Sequence, residues 1–515
     1  MTDFFSGKIR ETLKLFSEDS EKYSEFLDMI GKICSEKIAR NVSIVDKKGA
    51  KLEGSSVVLP PETHENIENL KNAGYIGAIL PEIYGGKALP RLFNTAAIEM
   101  ISRADASLMT LVSLQEIGQI IDFYGTEEQK KRILPGIAGG KLTCAMALTE
   151  SGAGSDLQAV ETKSEEDNGS LYLTGTKHFV TNGGADIMLV LARSENGVSG
   201  GRGLSLFIRE KSADNNCNTT KILDKNGICA SPVCTVRFEK AKCELLGKRR
   251  FGLVKYTVEL LLAARLSVAA QALGIAEAAL CEAEKYAEHR IQFGRKIAEL
   301  PQVARMLEDM SENVNATRLL LYFAAARYDE MQQLSALPQS AETAEKARRI
   351  RSVVEFLVSL VKFFAAETAN KVVYDSVQIY GGNGYLRGVA VERLARDVRV
   401  TSIYEGTTQI QILAVVQKIA NGELKNLAEM LLTGKERTEF NGKIMQNVER
   451  LTSLAASYRE NGKIGFCEKE FAYSAAFLLI AALAAVREPG KIFCTNFLLR
   501  LSSAIDFFLS IIEVL

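Results

Sequence analysis

The chain has 515 residues, 47% hydrophobic and 24% charged, the balance of a globular protein with more than one core. Sixty-three basic residues offset sixty-three acidic ones, which excludes the electrostatic footprint of a nucleic-acid binder. Nine prolines without repeats or low-complexity runs exclude a disordered chain or a solenoid, and nine scattered cysteines suit a reducing compartment, so cytoplasm is the expected location.

Residues 1–142 read as an N-terminal helical domain. The opening MTDFFSGKIRETLKLF is amphipathic and mixed in charge, with neither an apolar signal core nor a cleavage site. Apolar residues recur at helical spacing, as in Ile30, Ile33, Cys34 and Ile38, and Leu59-Pro60-Pro61-Glu62 breaks the run. Over 143–248 the period changes to short β-rich runs separated by Asn168-Gly169, Asn182-Gly183-Gly184 and Gly200-Gly201, which predicts a compact antiparallel sheet or barrel.

Residues 249–420 return to helical spacing. No proline interrupts Phe251 to Leu300, so one helix of roughly 55 Å can run to about Arg290. Runs near 302–333 and 340–379 and a helix after Thr407 complete an antiparallel four-helix bundle. Residues 421–515 form a further helical extension. Its apolar run Phe471–Val486 falls short of the ~20 residues that span a bilayer, so it reads as a buried or partner-facing helix, with membrane contact at most peripheral. Arg500, Asp506 and Glu513 make the last run a poor span as well.

The chemistry-bearing motifs come in order along this frame. Thr149-Glu150-Ser151-Gly152-Ala153-Gly154-Ser155-Asp156 offers accessible N–H groups and hydroxyls to a phosphate or polar ring, although alone it reads as a surface turn. It is neither a P-loop nor a dinucleotide fingerprint. Lys177-His178-Phe179-Val180-Thr181-Asn182-Gly183 is an ordinary strand end whose Phe and Thr could flank a planar ring. Arg290-Ile291-Gln292-Phe293-Gly294 ends the long helix, where Arg290 either complements the dipole or clamps a phosphate. In Tyr404-Glu405-Gly406-Thr407 a carboxylate stands on a tight turn at a helix start, beside unpaired N–H groups. By itself that glutamate reads as a capping residue, yet a base next to such donors also suits proton abstraction beside a carbonyl. His64, His178 and His289 show no paired ligand spacing and no G-x-S-x-G is present, so neither a metal nor a serine-hydrolase centre is expected.

Taken together, TESGAGSD, KHFVTNGG, the helix ending in RIQFG, QIYGGNGY and IYEGTTQIQ resemble the acyl-CoA dehydrogenase family in order and spacing over about residues 55–420. The resemblance implies a mainly α fold with a central β-barrel domain, an N-terminal α-domain and a C-terminal four-helix bundle, here followed by a helical extension. It also implies FAD. The flavin ring would lie along Met146, Leu148 and Thr149, with Gly154 and Ser155 nearby and Phe179 and Thr181 on the other strand. Arg290, Phe293, Gln302 and Gln378 to Gly382, Gly381 included, would reach the cofactor from a neighbouring subunit, and Thr407 and Gln409 would touch it in their own. Ser155, Arg265, Tyr404 and Gly406 would face the acyl-CoA.

The implied reaction is dehydrogenation of an acyl-CoA thioester to the trans-2-enoyl-CoA, as in fatty-acid β-oxidation and lipid metabolism. Glu405 would take the α-proton while a β-hydride passes to flavin N5, and burial against the acyl chain would raise its pKa toward neutrality. Some members carry the base on the long bundle helix, but the corresponding position here is Ala264. Ser151 stands where many members have Pro, and Leu262 where some have an acidic residue near the CoA. Electrons would go to an electron-transferring flavoprotein from a homodimer or homotetramer. An acyl-CoA oxidase and an assembly flavoprotein are the alternatives. Every such motif lies before residue 412, so the extension is expected to serve assembly.

Overall fold

A computed structural model describes residues 4–211, 216–338, 340–433, 438–461, 467–486 and 495–514, with side chains of 495–502 and 513–514 left aside. Two compact units emerge, one chiefly Phe26–Pro90 with Met100–Ser267, the other Phe5–Glu25, Arg91–Glu99 and Val268–Leu515.

In the first unit, Ile30, Cys34 and Ile38 are fully buried, as their spacing predicts. A hairpin, β1 (Lys51–Glu53) with β2 (Ser56–Val58), interrupts the expected all-helical segment before the helix Pro61–Asn72, which starts on a proline whose missing N–H costs nothing there. The β-domain comprises β3 (Cys144–Ala147), β4 (Lys163–Asp167), β5 (Ser170–Thr181), β6 (Ile187–Arg193), β7 (Leu204–Glu210), β8 (Cys217–Ile222) and β9 (Val233–Leu246). Strand β6 pairs with both β4 and β7, so the path β6–β4–β5–β9–β7 returns to its start and closes a barrel. Closure leaves fewer edges to aggregate. The sheet is mixed and not purely antiparallel, because β3 and β4 both run parallel to β6. Connections long enough to return a strand in the same direction make this possible.

The second unit holds the long helices Val258–His289 (from Val268 onward), Pro301–Ala336 and Ala341–Tyr380, with the shorter Thr408–Ala420, thirteen residues, as the fourth. Arg318 is enclosed at their centre. Its guanidinium donates to Glu99 at 2.7 Å and Glu277 at 2.8 Å, and Tyr322 donates to the second Glu99 oxygen at 2.7 Å. The extension adds Glu423–Leu432, Glu439–Glu460, Glu468–Val486 and Thr495–Val514. The helix over the predicted sixteen-residue run is nineteen residues long. Gly252–His289 and Glu468–Val486 are long and apolar enough to cross a membrane by length and composition, but both are mostly buried within the protein.

Candidate active site

Strands β3 and β5 carry the first set of predicted residues. His178 N donates to Thr149 O at 2.8 Å and Asn182 Nδ2 to Cys144 O at 3.1 Å, which brings Met146, Leu148 and Thr149 beside Phe179 and Thr181. The register of β5 against β9 shifts between Lys177 and Val180, and within that bulge Phe179 has φ 59°. A bulge re-aims its side chain, and Phe179 is 61% exposed near the end of β5, where Lys177 and Val180 are buried.

Lys177 organises the loop that follows β3. Its ammonium donates to Leu148 O at 2.8 Å and Glu150 Oε1 at 2.7 Å, and the same carboxylate accepts Glu161 N and Thr162 N at 2.8 and 3.0 Å. Burial presses the Lys177 ammonium down to about 8 against the pull of Glu150. Burial raises the Glu150 carboxyl, yet the Lys177 charge and the amides leave it below its ordinary value. Past this anchor, Gly152 and Gly154 face open space, and Ser155 is exposed.

In the second unit the Tyr404–Thr407 turn starts the helix Thr408–Ala420, with the Thr407 hydroxyl accepting Ile410 N. Glu405 has φ 56° and Gly406 φ 93°. Glycine adopts the left-handed region freely, whereas a glutamate there costs about 1–2 kcal/mol and persists only where its surroundings hold it. Lys362, Gln411 and Gln271 contribute to those surroundings. Lys362, fully buried, donates to Gly406 O at 2.6 Å. Gln411 Nε2 reaches Glu405 O and Gly406 O at 3.4 and 3.3 Å. The Tyr404 hydroxyl donates to the buried amide of Gln271 and is pushed well above its usual range by burial and by the Glu405 charge.

A third set gathers at one end of the bundle. The helix ending at His289 opens into the hairpin β10 (Ile291–Gln292) and β11 (Arg295–Lys296), whose tip holds Phe293 at φ 52° and 91% exposed. Tyr286 stacks on Tyr380 at 4.1 Å and accepts from Asn383 Nδ2 at 2.9 Å, which ties this hairpin's helix to the Gln378–Gly382 segment. Arg290, Gln378, Gly381 and Gly382 are exposed there, as is Gln302 at the start of the next helix. Arg265 is half-buried on the helix Val258–His289.

The family descriptions "Acyl-CoA dehydrogenase, N-terminal domain", "middle domain" and "C-terminal domain" match residues 20–141, 145–241 and 254–420. The chain belongs to the acyl-CoA dehydrogenase family. An acyl-CoA dehydrogenase of Bacillus subtilis is 36% identical over 362 residues, 69% of this chain and 89% of its own length. A 3-(aryl)acrylate reductase of Clostridium sporogenes is 35% identical over 361 residues, covering 69% and 90%. The solved structure of butyryl-CoA dehydrogenase from Megasphaera elsdenii is 32% identical with TM-score 0.66, covering 76% and 96%. The protein is thus an oxidoreductase of the CH–CH class, and acyl-CoA dehydrogenases use FAD. The residues present fit that cofactor: the out-turned Phe179 offers a face to a planar ring, and the open glycines with Thr149, Ser155 and Thr181 offer amide and hydroxyl donors.

Lys362 and Gln271 lie outside the motifs quoted from the sequence, and Lys177 and Gln411 lie within them without a role of their own. Lys362 carried a signal, since it interrupts the apolar run Val358–Ala366, every residue of which is buried. A lysine so placed requires a partner.

Proposed function

We propose that this chain removes the α-proton and a β-hydride from an acyl-CoA thioester, giving the trans-2-enoyl-CoA, with Glu405 as the base. The observation that carries this reading is the left-handed Glu405 held beside Gly406 by Lys362 and Gln411, because strain of this kind is retained where a side chain must be aimed. Thr407 caps the helix that follows, so the turn is fixed from both ends.

FAD, when bound, supplies the two-electron acceptor that side chains lack. Met146, Leu148, Thr149, Gly154, Ser155, Phe179, Thr181, Thr407 and Gln409 would hold it. Arg290, Phe293, Gln302, Gln378, Gly381 and Gly382 would serve the cofactor of a second copy. Ser155, Arg265, Tyr404 and Gly406 would bind the acyl-CoA, and the N–H of Glu405 would donate to the thioester oxygen and acidify the α-carbon. An electron-transferring flavoprotein is the proposed acceptor. Likeness to an acrylate reductase favours one second reading, the same proton and hydride positions used to saturate a conjugated double bond.

Anaerobic titration of the purified flavoprotein with acyl-CoAs of increasing chain length tests the proposal. Bleaching of the flavin by at least one saturated acyl-CoA is expected. Bleaching by none, with flavin reoxidised by enoyl substrates after chemical reduction, would select the reductive reading.

A further inference from the structure

The helices described beyond residue 420 lie outside the matched family regions, yet one of them packs on the helix that follows the turn carrying Glu405. Helix Glu468–Val486 packs on Pro301–Ala336, Ala341–Tyr380 and Thr408–Ala420. Its contact with Ala341–Tyr380 includes Phe363, Phe364 and Glu367. Tyr473 lies edge-on to Phe363 with ring centroids 4.9 Å apart, and Phe477 lies edge-on to Phe364 at 5.9 Å. One oxygen of Glu367 pairs with Lys469 at 3.2 Å.

The same short stretch grips the turn. Lys362 donates to Gly406 O at 2.6 Å, and the other oxygen of Glu367 accepts the Thr408 hydroxyl at 2.9 Å. Thr408 is the first residue of its helix and is buried, so its hydroxyl fixes where that helix begins. A single carboxylate therefore joins the extension to the residue three places after Glu405, and five residues earlier on the same helix a buried ammonium holds the carbonyl next to Glu405.

We propose that the C-terminal extension is a positioning element for Glu405, acting through Lys362–Glu367. A glutamate in a left-handed conformation holds its direction only as firmly as the groups around it are held. The rings of Tyr473 and Phe477 fix the rotation of Ala341–Tyr380 at this point, and Lys469 fixes the Glu367 rotamer. The extension then affects the proton-transfer step and not substrate affinity, beyond any part it plays in assembly. This rests on the reading of Glu405 as the base.

The test is a double-mutant cycle on full-length, FAD-loaded protein, with Lys469→Met, Glu367→Gln and the pair, beside Glu405→Gln. Glu367→Gln keeps an acceptor for Thr408 while removing the ion pair, and Lys469 is half exposed, so both variants should fold. Stopped-flow flavin reduction gives the limiting rate and the acyl-CoA dissociation constant separately. Each single variant should lower the limiting rate three- to tenfold at unchanged dissociation constant, and the double variant should be no slower than the slower single, because both act through one contact. Tyr473→Leu, which leaves the charges in place, should lower the limiting rate similarly. Limiting rates within twofold of wild type in all of these, with Glu405→Gln inactive, overturn the positioning role alone. An active Glu405→Gln overturns the base and the positioning role together. Multiplicative effects in the double variant would also reject it, since Lys469 and Glu367 would then act separately.

Discussion

Lys177 and Glu150 form an ion pair at 2.7 Å, with the lysine side chain fully enclosed and the carboxylate 10% exposed. The pair joins the strand that bears Phe179 and Thr181 to the start of the glycine-containing loop. Its removal from one side leaves an uncompensated charge, which costs about 3–5 kcal/mol in buried pairs. Lys177→Met is therefore expected to lower the unfolding midpoint and to lose FAD on gel filtration. Normal FAD content with a normal midpoint would show that the loop is held by other contacts.

Arg290 follows the long helix Val258–His289 at an exposed position beside the hairpin that carries Phe293. If it clamps the cofactor of a second copy, Arg290→Ala weakens FAD retention and the oligomer together, because each supports the other by linkage. Cofactor content and native mass measured on one sample check this. Full FAD occupancy in an unchanged oligomer would reduce Arg290 to a helix-end charge.

Asp329 accepts the N–H groups of Arg91 and Leu92 at 2.6 and 2.9 Å, at the start of helix Arg91–Ala104. Burial pushes its carboxyl up to about 6 in spite of those donors. A folded value above the unfolded one means that the native state binds the extra proton, so this group's stabilisation is present at low pH and is lost as pH rises through about 6. Asp329→Asn lacks that titration. The variant's unfolding midpoint, relative to wild type, should move upward between pH 4 and pH 7. A difference that stays constant across that range would contradict the assignment.

Much of the frame was legible because apolar spacing changes from helical to alternating and back at the places where the barrel starts and ends. Of the four apolar positions read as recurring, Ile30, Cys34 and Ile38 are buried and Ile33 is half-buried, and the three long helices lie where uninterrupted periodicity put them. The parallel pairing of β3 and β4 with β6 was not legible, since alternation carries no strand direction. Nor was the conformation of Phe179, Phe293 and Glu405, all at positive φ, because only the glycine after two of them hints at a turn. Lys177 and Lys362 act through partners distant in sequence, and composition gives the need for a partner without its identity. The extension read as apolar faces requiring burial; that it meets Phe363, Phe364 and Glu367 is a matter of packing alone.

The most direct test of the central claim is the anaerobic rate of flavin reduction by a saturated acyl-CoA in Glu405→Gln against wild type, both loaded with FAD. The amide keeps the shape and the backbone donor of the turn but cannot accept the α-proton. Loss of a general base commonly costs about 10²–10⁴-fold. A fall of that size, with acyl-CoA binding intact, is the predicted result. A variant that keeps more than about a tenth of the wild-type rate, well outside that range, would show that Glu405 is not the base.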